Sequence, residues 1–243
     1  MLKSQLLSQF SDIHHIITTK PLKFRCPFYQ GEDKQEVLLN KQKLAQNIWI
    51  WEERIIFLNQ THSSDVVLIN ETNCTQEIYA DAVITQSSQL ALFVLTSDCL
   101  PIVLYDPMTQ SIGVIHAGWK WLFGNIISNT LQKMQNQFWI KAEHLQIYIG
   151  PSISQENYEV QIDFLEKIPD EYKNYIKKIE EKYFFDLQWV SILQFQISWI
   201  PAKNMEISSH CTYRDSELFH SYRRKTHFPN IEYGNNAMGI YLK

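Results

Sequence analysis

Three side chains of the kinds that bind transition metals recur in one local setting. His62 follows the apolar run Ile55-Ile56-Phe57-Leu58. Cys99 follows Leu92–Leu95 and stands beside Asp98. His116 closes Ile112–Ile115 and opens the turn Ala117-Gly118-Trp119. Each falls just past the end of a run that reads as a strand, where groups from different strands converge on a rigid frame. Separations of 37 and 17 residues mean that such a site forms only once the sheet has folded. Two imidazoles and one thiolate suit Zn²⁺, and three protein ligands leave a fourth position for water or substrate. An open position points to a catalytic metal. Copper outranks zinc in intrinsic affinity, so Cu²⁺ fits the same donors. The residues also permit a metal-free dyad, with Cys99 as nucleophile and His116 or His62 as base. A lone cysteine beside an apolar run is ordinarily a small core residue.

Two further segments carry chemistry. In His116-Ala117-Gly118-Trp119-Lys120 a strand, a small-residue turn and a long helix leave free N–H groups at the helix start, a setting that takes anions. Gly118 permits a backbone that residues with a Cβ resist. A plain tight connection is the alternative. Near the end of the chain, Cys211–Asp215 and Phe219–Arg224 combine hydroxyls, aromatic rings and guanidiniums. There an Arg clamps an anion and a Tyr stacks on a flat ring; a surface hairpin with ordinary polar decoration is the alternative.

The elements that must position these groups are short. Residues 55–58, 66–69, 82–85, 90–95, 102–105 and 112–115 are apolar runs bounded by Asn, Asp, Ser or Pro, the pattern of buried strands. Residues 13–19 and 145–149 read as further strands, and 208–224 and 237–242 as a return to the sheet. Helices are expected over 2–10, 33–48 (with Val37, Leu38, Leu44 and Ile48 as its apolar face), 119–138, 163–181 and 187–199. Several strands are consecutive and no linker or repeat interrupts them. That predicts one domain of the mixed α+β (α/β) class, with mixed β-sheets flanked by helices.

Composition bounds the partners. The 243 residues are 45% hydrophobic and carry a net charge of −4. The basic clusters Lys177-Lys178 and Arg223-Arg224-Lys225 are too short for a nucleic-acid surface. The start, MLKSQLLSQF, lacks the apolar core of a secretory signal. No run reaches the length of a membrane span. A cytoplasmic protein with reduced thiols is expected, as monomer or small homo-oligomer.

Around these residues the sequence resembles the laccase-domain, or multicopper polyphenol oxidase, family. Its members are also described as purine nucleoside phosphorylases with adenosine deaminase activity, and as peptidoglycan editing factors. The resemblance rests on Asn59–Ser63, Ala80–Thr85, Thr96–Ile102, Gly113–Lys120, Ile149–Ile153, Tyr158–Val160, Cys211–Asp215 and Ser221–Arg224. It implies that His62, Cys99 and His116 hold the metal. It also implies phosphorolysis of adenosine, inosine or methylthioadenosine, in which phosphate attacks the ribose as the purine departs. Lys20, Gln60, Gly118 and Arg223 are then the candidate contacts for nucleoside and phosphate. In the deaminase version Asp81 or Asp98 shuttles the proton beside Cys99 and His116. Cell-wall editing, with a zinc-bound water or Cys99 attacking an amide, is a different class, and a non-catalytic metal-binding partner another. Copper oxidase chemistry wants a dense histidine cage, yet the eight His include no His-x-His pair. The chain departs from the family pattern at Lys20, Asn157, Lys225 and Asn235. Lys20 in place of Arg keeps the charge and loses the bidentate fork.

Overall fold

The computed structural model describes residues 2–20 and 34–243. Cys26 lies outside the described residues. In chain order the elements are β1 (Ile13–Ile17), α1 (Lys34–Ile48), β2 (Ile55–Phe57), β3 (Val66–Leu68), β4 (Ala82–Thr85), β5 (Ala91–Thr96), β6 (Leu100–Asp106) and β7 (Ser111–Ala117). Then come α2 (Trp119–Phe123), α3 (Ile126–Phe138), β8 (Gln146–Ile149), β9 (Glu159–Val160), β10 (Ile176–Ile179), β11 (Lys182–Phe185), α4 (Leu187–Ile197), β12 (Met205–Ile207), α5 (Tyr222–His227) and β13 (Asn236–Leu242). This is the mixed α/β arrangement expected.

Side-chain alternation explains the layering. A six-stranded sheet runs β12-β8-β6-β7-β4-β3 and a four-stranded one β1-β13-β5-β2. Along β6, Ile102 and Leu104 join the core under α3 and α4, while Val103 and Tyr105 join the core between the two sheets. Along β5, Leu92 and Val94 face that inter-sheet core, while Ala91, Phe93 and Leu95 face α1. Strands buried on both faces read as unbroken apolar runs, as these do. β13 threads between β1 and β5. A Cβ on Gly239 would stand 2.4 Å from the Leu92 carbonyl oxygen, so only glycine allows that approach.

Several expected elements differ. Residues 163–181 form short 3₁₀ turns and the strand β10, which pairs antiparallel with β11. The helix over 119–138 is two helices, broken at Gly124-Asn125, where Asn125 takes a left-handed φ of 64°. Residues 2–10 hold a 3₁₀ turn, Leu7–Gln9, and a lone bridge from Leu2 to Ile17 in place of a helix. The 208–224 segment is turns plus the start of α5, tied to the sheet by one Ser152–Cys211 bridge. On α1 the buried face is Asn40, Leu44, Ala45 and Ile48, and Leu38 is exposed. No helix among the described residues is long and apolar enough to cross a membrane.

Candidate functional site

The strand register brings His116 and Cys99 together. β6 and β7 are antiparallel, with Pro101 opposite His116 and Leu100 opposite Ala117. Cys99 precedes that pair and so meets Gly118, and period-two alternation puts Cys99 and His116 on one face. His116 is inside β7 rather than past its end, and Cys99 precedes β6 by one residue. A Cβ on Gly118 would stand 3.1 Å from the Cys99 sulfur. Gly118 has an ordinary φ of −84°. Its value is the room it leaves for the sulfur. The anion argument at this helix start weakens, because α2 is a single short piece of five residues.

Asp81 organises the rest. It sits just before β4, fully buried, and its carbonyl accepts the His116 backbone N–H at 2.7 Å. Its Oδ1 accepts from His116 Nδ1 at 2.7 Å, and its Oδ2 accepts the Ser63 N–H at 2.6 Å. Burial works against its charge, but His116 and the Ser63 amide win and hold the Asp81 carboxyl below its usual range. With Nδ1 turned to Asp81, His116 keeps Nε2 for other partners, and the neighbouring Cys99 thiol favours its charged form. Burial opposes charging His116, yet Cys99 and Asp81 together push it up to about 9.

His62 lies on the loop after β2, at a left-handed φ of 62°. The loop is pinned at both sides. Ser63 holds Asp81, and the Gln60 amide exchanges two 2.8 Å hydrogen bonds with the Leu95 backbone, continuing the β2–β5 pairing through a side chain. Both polar atoms of Gln60 are therefore engaged by β5. The His62 ring is 5.5 Å from that of His116, and its edge meets buried Trp121 at 4.6 Å. Burial and the nearby His116 push the His62 imidazole down, toward its neutral form. Among the described residues, no group of three or more His, Cys, Asp or Glu side chains already converges as a metal-holding set. His62, Cys99 and His116 are neighbours, with His62 the outermost and exposed.

The remaining candidates divide. Asp98 faces away from this group. It takes a left-handed φ of 99°, and its carboxylate accepts from Thr212 Oγ1 at 2.6 Å, Ser221 Oγ at 3.0 Å and the Arg223 N–H at 2.7 Å. Arg223 donates to the Glu159 carbonyl at 2.8 Å and lays its guanidinium 5.5 Å from the Tyr158 ring centre. Both residues line a cleft of about 450 Å³ with Trp119, Phe164 and His227. Lys20 donates its backbone N–H to the Leu218 carbonyl, at a different place. Of the departures, Asn157 donates to Ser154 and to the Cys211 sulfur, Asn235 meets Ser97, and Lys225 closes its own loop on Pro229 and Ile231. None of the three reaches the His116–Cys99 pair. Sequence reasoning assigned no role to Ser63, Trp121 or Tyr158. Ser63 and Tyr158 were visible as neighbours of the motif residues; Trp121 carried no signal of its own.

A mixed α/β protein of three sheets, in which Asp81 holds His116 beside Cys99 and His62, is the class that the fold and this corner of it define. The family profile described as multi-copper polyphenol oxidoreductase laccase matches residues 18–243, and the chain belongs to this family. It is 30% identical to a purine nucleoside phosphorylase of Bacteroides thetaiotaomicron, covering 100% of this chain and 96% of that protein. It is 28% identical to an adenosine deaminase, RL5, of an unknown prokaryotic organism, covering 88% of this chain and 85% of that one. The fold matches the hypothetical protein YfiH of Bacillus licheniformis with a TM-score of 0.85 at 24% identity, over 98% of this chain and 94% of that one. YlmD of Geobacillus stearothermophilus matches with a TM-score of 0.85 at 22% identity, over 96% and 93%.

Proposed function

We propose that this protein is a zinc-dependent purine nucleoside phosphorylase, with His62, Cys99 and His116 as the metal ligands. One observation carries the reading: Asp81 holds the His116 ring by Nδ1 at 2.7 Å and so keeps Nε2 free, on the strand beside Cys99. Ligating histidines ordinarily donate their other nitrogen to a carboxylate in this way. The donor set fits zinc, and His62, neutral and 5.5 Å across, completes it by side-chain rotation. Bound there, zinc would supply a Lewis acid and a position at which water becomes acidic.

The chain's own groups supply the rest. Asp81 holds the proton on His116 Nδ1 and keeps Nε2 for its partner. The cleft of about 450 Å³ is of a size for a nucleoside with an anion beside it. Arg223, on its wall, is the best-placed cation for phosphate, and Tyr158 and Trp119 offer aromatic surface to a flat base. Phosphorolysis then rests on holding phosphate and the ribose anomeric carbon in line while the purine departs.

Inosine and adenosine, each assayed with and without phosphate, test this. Free base released only with phosphate supports phosphorolysis. Phosphate-independent conversion of adenosine to inosine supports deamination, the activity for which one relative is named. Inertness toward both refutes the reading, and stoichiometric copper in protein purified without added metal refutes its zinc part.

A further inference from the structure

Asp98 stands between the two halves of this site and belongs to neither. Its four polar contacts come from three separate segments. The Ile153 N–H donates to its carbonyl at 3.0 Å. Its Oδ1 accepts from Thr212, and its Oδ2 accepts from both Ser221 Oγ and the Arg223 N–H. The residue is buried, 9% exposed, so these partners stand in for solvent. The residue also holds a φ of 99°, a region that residues with a Cβ enter only when their surroundings enforce it. Its backbone continues directly into Cys99, whose sulfur lies against Gly118 beside His116 on the paired strand. Its side chain ends on the amide of Arg223, whose guanidinium lies along Tyr158 in the cleft.

We propose that Asp98 is a positioning residue that sets Cys99 and Arg223 in a fixed mutual geometry, tying the metal end of the site to the substrate cleft. The proposal rests on the metal and nucleoside reading above. Its chemistry is that of an acceptor with no donor of its own. A carboxylate satisfies Thr212, Ser221 and Arg223 at once, whereas a carboxamide presents an NH₂ to at least one of them. Asn tolerates the left-handed backbone, so Asp98→Asn removes the charge and one acceptor of the polar link with little change of shape.

The test measures zinc affinity and inosine binding on folded, full-length variants. Asp98→Asn is expected to weaken zinc binding about tenfold, the scale on which outer partners of a metal site act. It is also expected to weaken inosine binding, and non-additively with Arg223→Met, because residues that act through one another do not add. Asp186→Asn is the control. Asp186 caps the Trp189 N–H of α4 with the same chemistry at 3.0 Å, and its loss is expected to lower stability and leave both affinities within twofold. Zinc and inosine affinities within twofold of wild type in Asp98→Asn, or additive effects with Arg223→Met, overturn the proposal. Cys99→Ser and Arg223→Met report separately on the reading beneath it. If neither moves its own affinity, the two ends of the link have no function and the proposal falls with that reading. If only one does, the proposal is overturned, because a link needs a function at both of its ends.

Discussion

Replacing Asp81 by Asn probes the centre of the proposed site. The carboxylate is fully buried and divides its oxygens between His116 Nδ1–H at 2.7 Å and the Ser63 N–H at 2.6 Å. Asn keeps one acceptor and turns an NH₂ toward the other donor. One of the two N–H groups therefore loses its partner inside the protein, which costs about 1–3 kcal/mol of stability. If the loss falls on His116, its tautomer and ring orientation are no longer fixed. Outer-shell losses of this kind weaken metal binding by about 10–100-fold, or about 1.4–2.7 kcal/mol. Competition with a chromophoric chelator measures zinc affinity, and urea unfolding of the metal-free protein measures stability. Ser63→Ala is the matched control. It removes the longer 3.3 Å contact from Ser63 Oγ to Asp81, together with the Asp65 N–H that Oγ accepts at 3.2 Å, and leaves the Ser63 N–H in place, so zinc affinity stays within twofold. A folded Asp81→Asn variant that binds zinc as tightly as the wild type would refute the reasoning.

Other positions give independent checks. Gly118→Ala adds a methyl 3.1 Å from the Cys99 sulfur at a φ that Ala accepts, so zinc affinity falls while the unfolding midpoint barely moves; equal affinities sink the argument. Trp199 occupies a left-handed φ of 64° after α4 and is 86% exposed. Trp199→Gly is therefore expected to be about 1 kcal/mol more stable than Trp199→Ala in urea unfolding, since only Gly is unstrained there; identical stabilities show that the backbone carries no strain. His15 is buried and its Nε2 accepts the Ser4 N–H at 2.8 Å, and burial together with Lys3 pushes it from 6.5 down to about 4. Between those values the unfolded chain binds the extra proton, so stability falls as pH drops from about 6.5 toward 4 and is flat above. After screening by nearby solvent the loss is about 1–2 kcal/mol, and His15→Gln abolishes that part of it; parallel pH profiles for the two proteins would contradict this.

The strands were legible because two-sided burial leaves its mark as unbroken β-branched runs, and β4, β5, β6 and β7 lie where those runs lie. The 163–181 segment misled for a physical reason. Phe164, Ile168 and Tyr172 recur every four residues and are all buried, so the helical spacing is real. Pro169 interrupts it, and the backbone meets the same core through 3₁₀ turns instead. The β10–β11 hairpin then turns through Glu180 at a φ of 52°. Such turns usually announce themselves with Asn-Gly or Asp-Gly, and Glu180-Glu181 does not. The same economy of glycine hides helix ends. Trp49, Trp139 and Trp199 take the left-handed position that glycine normally fills after a helix.

At the site, residue type and sequence found the metal candidates, but register alone explains them. That His116 answers to Asp81, 35 positions earlier, follows only from β4 lying beside β7. That Cys99 meets Gly118 follows only from the pairing of β6 with β7. Asp98 shows the limit most sharply. Beside Cys99 in sequence it looks like a proton carrier, yet a left-handed backbone turns its carboxylate toward Thr212, Ser221 and Arg223, more than a hundred residues away. A left-handed φ reverses the side on which a side chain emerges, and no periodicity in the sequence records it. Adjacent residues thus point opposite ways, the thiol toward His116 and the carboxylate toward Thr212, Ser221 and the Arg223 backbone.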